Sequence, residues 1–264
     1  MMIKKICQIF YLTLFVSQST KSYNFGMDSG KIINSLKKKY YTPLVKRTTS
    51  VITYRTDDQN NKFKSCMVFF TGGSSFISPK IYENFFNELL NINIDVYVPS
   101  FNYSNFNILA DCLSKEYKQI ILAGHSSGAT VALKKCENNN INDKFKKLIL
   151  LDPVNTRLAN TSQPFNIKNV DSVLYLNALK SYEITYEPFG LPFIPILKVP
   201  PEMLINNAFI KVVNAKNYGH GDILNKEYSD LTHNTRLAVG NKNRSVEVIN
   251  NYHKWLAKQI KDFI

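Results

Sequence analysis

The chain has 264 residues, of which 44% are hydrophobic, and a formal net charge of +13 at pH 7. This length suits one α/β domain with a sizeable core, and no shift in composition marks a second domain. The lysines are scattered in short groups instead of lying on one element, which argues against nucleic-acid binding. The positive charge is compatible with a salt-dependent attraction to anionic membrane surfaces.

The first residues follow the pattern of a secretory signal peptide. Two lysines precede an apolar stretch of 11 residues at 6–16, and small residues follow it at a spacing suited to signal peptidase. The stretch is too short to span a bilayer. The sequence therefore predicts a signal peptide at 1–19, one folded domain at 20–264, and a secretory, endomembrane or extracellular destination, with onward transport to a plastid left open.

The cysteines indicate neither a disulfide framework nor a metal site. Cys7 would leave with the signal peptide, and the remaining Cys66, Cys112 and Cys136 are odd in number and lack metal-ligand spacing. The fold is therefore expected to depend on its hydrophobic core.

Short apolar runs alternate with amphipathic segments, which predicts a mostly parallel sheet with helices on both faces. The predicted strands are Val51–Tyr54, Cys66–Phe70, Ile94–Val98, Ile120–Ala123, Leu148–Leu151, Val173–Leu176 and Ile210–Val213. The predicted helices start at Ser78-Pro79, cover 105–117, run over 129–136 and close the chain with an apolar face from Ile249 to Phe263. In the second of these helices, Leu109, Cys112 and Leu113 are predicted to face inward.

Residues 180–208 break this alternation. Five prolines in this range exclude long regular elements, while the aromatic and aliphatic residues around them are too apolar for a free loop. The segment is predicted to form a lid or a pocket wall, with plain packing on the helices as the alternative.

The sequence Gly124-His-Ser-Ser-Gly128 lies between a buried strand and a helix, where the pattern Gly-x-Ser-x-Gly forms the nucleophile turn of α/β-hydrolases. The turn is tight, so a side chain at either glycine would collide with its neighbours. Ser126 is therefore the predicted nucleophile. The N–H of Ser127 at the helix start is predicted to face an oxyanion formed there. A merely close-packed glycine turn is the alternative.

A second glycine-rich turn follows the strand Cys66–Phe70. With the serine turn present, Gly73 is predicted to supply the second oxyanion donor, because a glycine lets the backbone N–H approach a ligand. An ordinary glycine turn is again the alternative.

A nucleophilic serine needs a histidine base within hydrogen-bond reach. His220 is the predicted base, because it follows the last strand in a loop flanked by two glycines and comes late in the chain. His125 is excluded as the neighbour of the serine, His253 as a mid-helix residue and His233 because no strand precedes it.

The acid that orients the histidine is predicted at Asp152, at the carboxyl end of the strand after the serine helix. Glu183, after the next strand, is the rival, and Asp222 is too near His220 to be preferred. An Asp-Pro turn without a catalytic role is the alternative for Asp152.

Four blocks together resemble the chlorophyllases, serine esterases of the α/β-hydrolase fold that cleave phytol from chlorophyll. The blocks are Met67–Gly72, Gly124–Gly128, Leu151–Val154 and Tyr218–Leu224. The resemblance implies a triad of Ser126, Asp152 and His220, and so favours Asp152 over Glu183. The chain departs from the family at Thr71, Ser127 and Ala129, which surround the predicted site.

The resulting hypothesis is a serine carboxylic-ester hydrolase of the α/β-hydrolase fold that acts on a bulky apolar ester through an acyl-enzyme, without metal or organic cofactor. A general lipase or acyl esterase is the near alternative, and a binding protein of the same fold without catalysis is the more distant one.

Overall fold

The computed structural model describes residues 51–56, 64–75, 77–100, 103, 105–137, 145–155, 164–167, 170–183, 198–205, 209–234 and 244–264. The predicted signal peptide and residues 184–197 of the proline-rich segment lie outside the described residues. Within those ranges, every helix is too short or too polar to cross a membrane.

A mostly parallel sheet forms the centre of the described chain. The strands are β1 (Val51–Tyr54), β2 (Ser65–Phe70), β3 (Ile94–Pro99), β4 (Gln119–His125), β5 (Phe145–Leu151), β6 (Phe165–Asn166), β7 (Ser172–Ala178), β8 (Leu204–Ile205) and β9 (Phe209–Ala215). Seven of the strands in the described ranges pair in the order β1-β3-β2-β4-β5-β7-β9, and β6 pairs separately with β8. In the large sheet β1 is antiparallel to β3, and the other pairs are parallel.

Five helices of two turns or more lie in the described ranges, and four of them follow β2, β3, β4 and β9. They are α1 (Glu83–Leu90), α2 (Phe106–Glu116), α3 (Ser127–Glu137), α4 (Lys226–Asn234) and α5 (Val246–Lys261). The predicted start at Ser78-Pro79 is a 3₁₀ turn that leads into α1, with the Ser78 hydroxyl accepting a hydrogen bond from the Lys80 N–H. Ser245 caps α5 in the same way, through the N–H of Val248 at 3.2 Å.

Alternate residues of the strands enter two separate cores. In β4, Ile120 and Leu122 pack on the side of α2 and α3, whereas Ile121 and Ala123 pack on the side of α1 and α5. This period of two is the geometry of a strand, and burial on both faces explains why the strand sequence is apolar throughout. Each large aliphatic side chain buried in this way stabilises the fold by about 1.5–3 kcal/mol. The predicted mostly parallel sheet with helices on both faces is confirmed.

One prediction about α2 is wrong. Cys112 is exposed, while Phe106, Ala110 and Leu113 are buried and Leu109 is half-buried. The buried residues Phe106, Ala110 and Leu113 are four and then three positions apart, so they share one face of the helix. Cys112 lies outside that face.

Candidate active site

The carboxyl end of β4 leads into a strained turn at Ser126. This residue has φ of 58°, in the left-handed region that non-glycine residues rarely adopt. Its N–H donates to the Leu151 carbonyl at 3.0 Å, and its carbonyl accepts from the Val154 N–H at 3.1 Å. The backbone of the following strand therefore holds the turn, and the Ser126 side chain is only half-buried.

The two glycines of this turn are required by close backbone contacts. A Cβ at Gly128 would lie 2.2 Å from the Phe70 carbonyl oxygen and 2.3 Å from that of Thr71. A Cβ at Gly124 would lie 2.5 Å from the Gly128 backbone. Since real Cβ contacts are much longer, no other residue fits at either position without backbone movement.

Ser126, His220 and Asp152 form a continuous line of hydrogen bonds. The Ser126 Oγ lies 2.8 Å from His220 Nε2, and His220 Nδ1 lies 2.6 Å from Asp152 Oδ2. The carboxylate can only accept, so His220 carries its proton on Nδ1 and leaves Nε2 to accept the proton of the serine hydroxyl. The side chain of Asp152 is 3% exposed and that of His220 is 11% exposed. The three residues predicted at strand ends thus meet at one edge of the sheet.

Four donors surround the Asp152 carboxylate. The Oδ2 atom also accepts from the Ser181 hydroxyl at 3.0 Å, while Oδ1 accepts from the Ala178 N–H at 2.9 Å and from Lys198 Nζ at 2.6 Å. Burial alone raises the pKa of Asp152, but the hydrogen bonds and charges of His220 and Lys198 outweigh it and hold that pKa well below its ordinary value. The acid is therefore ionised.

A hydrogen-bonded chain connects the glycine turn after β2 with the His220 loop. The Gly72 N–H donates to the Tyr82 hydroxyl at 3.0 Å, which lies 2.8 Å from His125 Nδ1. His125 Nε2 lies 3.0 Å from the backbone carbonyl of His220. A carbonyl only accepts, so His125 is protonated on Nε2 and Nδ1 accepts from Tyr82. Burial, followed by the charge of His220, holds the pKa of His125 well below its ordinary value, and the ring stays neutral.

The loop that carries His220 is anchored by Asp222. This fully buried carboxylate accepts from the Gly219 N–H at 2.9 Å and from the Ser229 hydroxyl at 3.1 Å, and it pairs with Arg244 at 2.9 Å. Asp222 is thus engaged away from the His220 ring, although it lies two residues further along the chain.

The predicted oxyanion donors flank the serine. Gly73 lies in a single helical turn, Gly72–Ser75, and has φ of 59°. A Cβ at its neighbour Gly72 would lie 3.5 Å from Ser126 Cβ, so this turn borders the nucleophile. Ser127 is the first residue of α3, at the positive end of the helix dipole. Both residues thus border the nucleophile turn, and their role as oxyanion donors stays a prediction.

Other predicted residues play different parts. Glu183 belongs to the 3₁₀ turn Leu179–Glu183, and the Asp152 carboxylate contacts the His220 ring. No group of three or more His, Cys, Asp or Glu in the described ranges could hold a metal ion.

Sequence reasoning missed Lys198, Ser181 and Tyr82. A charged residue inside the apolar run 194–199 was the available signal for Lys198.

No protein-family model and no curated protein matches the sequence. Among solved structures, the chain is similar to Est1E from Butyrivibrio proteoclasticus, at 14% identity over 80% of this chain and 93% of that chain, with a TM-score of 0.47. It is also similar to an esterase from Pyrobaculum calidifontis, at 13% identity over 98% and 97% of the two chains, with a TM-score of 0.46. A similarity to MenH from S. aureus, at 22% identity and a TM-score of 0.33, covers 43% of this chain and 47% of that chain.

These likenesses are too weak to carry an argument about activity, and the architecture itself defines the class. A mostly parallel sheet, a serine on a strained turn between β4 and α3, and the chain order Ser126, Asp152, His220 are the features of the α/β-hydrolase fold. The fold class predicted from the sequence is therefore confirmed.

Proposed function

We propose that this protein is a serine carboxylic-ester hydrolase in which Ser126, His220 and Asp152 form the catalytic triad. The observation that carries the proposal is the unbroken hydrogen-bonded line from the serine Oγ to the aspartate, with contacts of 2.8 Å and 2.6 Å. Hydrogen bonds in this order allow a neutral imidazole to accept the serine proton while the carboxylate stabilises the imidazolium that forms.

The reaction follows from these contacts. As Ser126 Oγ attacks the ester carbonyl, His220 Nε2 takes its proton, and the N–H groups of Ser127 and Gly73 stabilise the negative charge on the carbonyl oxygen. His220 then donates the proton to the departing alcohol, which leaves an acyl-serine. Water, deprotonated by His220, releases the acid and restores the serine.

A bulky apolar ester is the substrate class we propose, with chlorophyll as the specific candidate. The four sequence blocks that resemble chlorophyllases include all three triad residues and the turn that precedes Gly73. Thr71 and Ser127, which differ from that family, lie beside the nucleophile turn, so a general lipase or acyl esterase is the second candidate. An excess of positive charge would favour binding of the enzyme to anionic membrane surfaces.

Two assays separate these candidates. Hydrolysis of chlorophyll to chlorophyllide is measured beside a series of p-nitrophenyl esters of increasing acyl length. Turnover of chlorophyll supports the chlorophyllase-like function, whereas turnover of the p-nitrophenyl esters alone supports a general esterase.

A fluorophosphonate probe tests the triad independently of the substrate, because it labels only an activated serine. We expect labelling of the wild-type protein and none of Ser126→Ala. A folded wild-type protein that neither reacts with the probe nor hydrolyses any ester would overturn the proposal and leave a binding protein of the same fold.

A further inference from the structure

We propose that Lys198 is a positioning residue of the reaction, which shares the Asp152 carboxylate with His220 and so sets the pH range in which His220 acts as a base. This inference rests on the proposed triad but goes beyond it, because a triad needs only one partner for the aspartate. Here the Lys198 cation occupies the other carboxylate oxygen.

The Lys198 ammonium contacts three oxygen acceptors in the described part of the chain. Its Nζ lies 2.6 Å from Asp152 Oδ1, 2.6 Å from Asn177 Oδ1 and 3.1 Å from the Ala178 carbonyl oxygen. These three acceptors match the three N–H groups of an ammonium, whereas a neutral amine has only two. The side chain is 4% exposed. A charge buried to this extent is stable only when it is paired and fully hydrogen-bonded, as it is here.

The backbone holds Lys198 in this place. Lys198 and Val154 form an antiparallel bridge two residues after Asp152, and the Val199 N–H donates to the Pro153 carbonyl at 3.1 Å. The Val199 carbonyl in turn accepts from the Tyr175 hydroxyl at 2.6 Å. The cation is therefore directed at the carboxylate by a main chain that pairs with residues 153–154 and is held by the Tyr175 hydroxyl, and not by the chance rotamer of a surface lysine.

The ion pair opposes the effect of the aspartate on the histidine. Burial lowers the pKa of Lys198, and the charge and hydrogen bond of Asp152 counteract that change. A carboxylate that already faces one cation stabilises a second cation less, because the two positive charges repel each other. The imidazolium form of His220 is therefore less favoured than it would be beside an isolated aspartate, and His220 is available as a base at lower pH.

Other titratable groups near the His220 ring do not replace this effect. His125, at 4.6 Å between ring centroids, is neutral because burial lowers its pKa. Asp222 is paired with Arg244, and burial raises the pKa values of Tyr218 and Tyr252, so that both phenols are uncharged. Lys198 and Asp152 are thus the opposed charges that act on the ring.

The test compares the pH dependence of kcat/KM for an ester without ionisable groups in three variants. Lys198→Met removes the charge at similar length, and Lys198→Gln removes the charge but keeps an N–H donor. Ser181→Ala is the matched control, because it removes a neutral donor to the same carboxylate and leaves Lys198 and His220 in place. Circular dichroism and Tm report folding of each variant.

We expect the acidic limb of the profile to move to higher pH by about one unit in both Lys198 variants, because the imidazolium is then better stabilised. The rate on the alkaline plateau should change by no more than about threefold, and Ser181→Ala should shift the limb much less. An unmoved limb in a folded Lys198 variant, or an equal shift in Ser181→Ala, contradicts the inference. Failure of both Lys198 variants to fold also overturns it, since Lys198 would then serve stability.

Fluorophosphonate labelling of the wild-type protein separates the two proposals. If the wild type is labelled at Ser126 and the limb does not move, only the role of Lys198 is wrong. If the wild type is not labelled at all, the triad itself fails and the role of Lys198 fails with it.

Discussion

Tyr82 donates a hydrogen bond of 2.8 Å to His125, and this contact joins the two loops that flank the nucleophile. The tyrosine hydroxyl accepts from the Gly72 N–H, while His125 contacts the backbone carbonyl of His220. Neither side chain contacts Ser126 through a hydrogen bond in the described part of the chain. Both side chains instead connect the glycine turn to the loop that carries the proposed base, and so fix the distance between them.

Tyr82→Phe should lower both stability and turnover. The change leaves the Gly72 N–H and His125 Nδ1 without their buried partner, which costs about 1–3 kcal/mol in the free energy of unfolding. The glycine turn next to Ser126 then loses an anchor, so kcat should fall by about tenfold or more while KM changes little. Urea unfolding and ester hydrolysis measure the two effects. Tyr54→Phe is the control. The Tyr54 ring packs on Phe86 with ring centroids 5.0 Å apart, and the substitution should change stability and turnover little.

Gly128→Ala should disrupt the serine turn more severely than Gly72→Ala. A methyl group at Gly128 would lie 2.2 Å from a backbone oxygen, which cannot move without displacing β2. At Gly72 the nearest atom is the Tyr82 hydroxyl oxygen at 3.1 Å, which can shift slightly. We expect Gly128→Ala to lower the free energy of unfolding by about 3 kcal/mol or more. Equal melting temperatures of the two variants would show that the turn is looser than the contacts imply.

Asp222→Asn should destabilise the His220 loop. The substitution removes the buried one of the two carboxylates that pair with the Arg244 guanidinium, whose side chain is only 10% exposed, and leaves Asp230 at 3.2 Å. Losing a buried hydrogen bond to a charged group costs about 1.5–3 kcal/mol, and His220 should lose its alignment, so that kcat falls as well. Asp171→Asn is the control, because Asp171 pairs with Lys146 at 4.0 Å on the exposed surface. Chemical denaturation of both variants makes the comparison, and similar losses in the two would refute this role of Asp222.

His253 should make the fold less stable in acid. The ring is fully buried, and burial lowers its pKa to about 4. The unfolded chain binds a proton on this histidine below about pH 6.5, whereas the folded chain does so only near the lower value. Stability should therefore decrease as the pH falls from about 6.5 to 4, by about 1.4 kcal/mol per pH unit and about 3 kcal/mol in total.

The variant His253→Leu isolates this contribution. It should reduce the pH dependence of unfolding by about one proton in that window, whatever its effect on stability at pH 7. Urea titrations at several pH values give the proton count as a slope. An unchanged slope would mean that His253 binds its proton in the folded protein as readily as in the unfolded chain.

Much of the architecture was predictable because it depends on local patterns. The apolar run 120–123 can be buried only as a strand with two covered faces, and the strands predicted from such runs are present within three residues at their ends. Cys112 shows the limit of this reasoning. Cys112 lies three positions after Leu109, a spacing that suits one face of a helix. The larger Phe106 packs on the sheet, however, and this orientation of the helix leaves Cys112 outside the core.

The site was predictable where it depends on chain order. Ser126, Asp152 and His220 each follow a strand whose carboxyl end lies at the same edge of the sheet, so the order of strands was enough to propose that they meet. His125 could be excluded as a base, but its neutral form and its link to Tyr82 depend on a contact between residues 43 positions apart.

The sequence by itself determined the strands, the helices and the serine turn of this protein. The spacing of apolar residues and the glycines of a tight turn depend only on residues that are close together in the chain. The tertiary structure alone decided the electrostatics of the site. Lys198 looks like an isolated charge in an apolar segment, and only the pairing of Val154 with Lys198 brings its ammonium to 2.6 Å from Asp152. A charge acts through distance in space, and the sequence does not contain that distance.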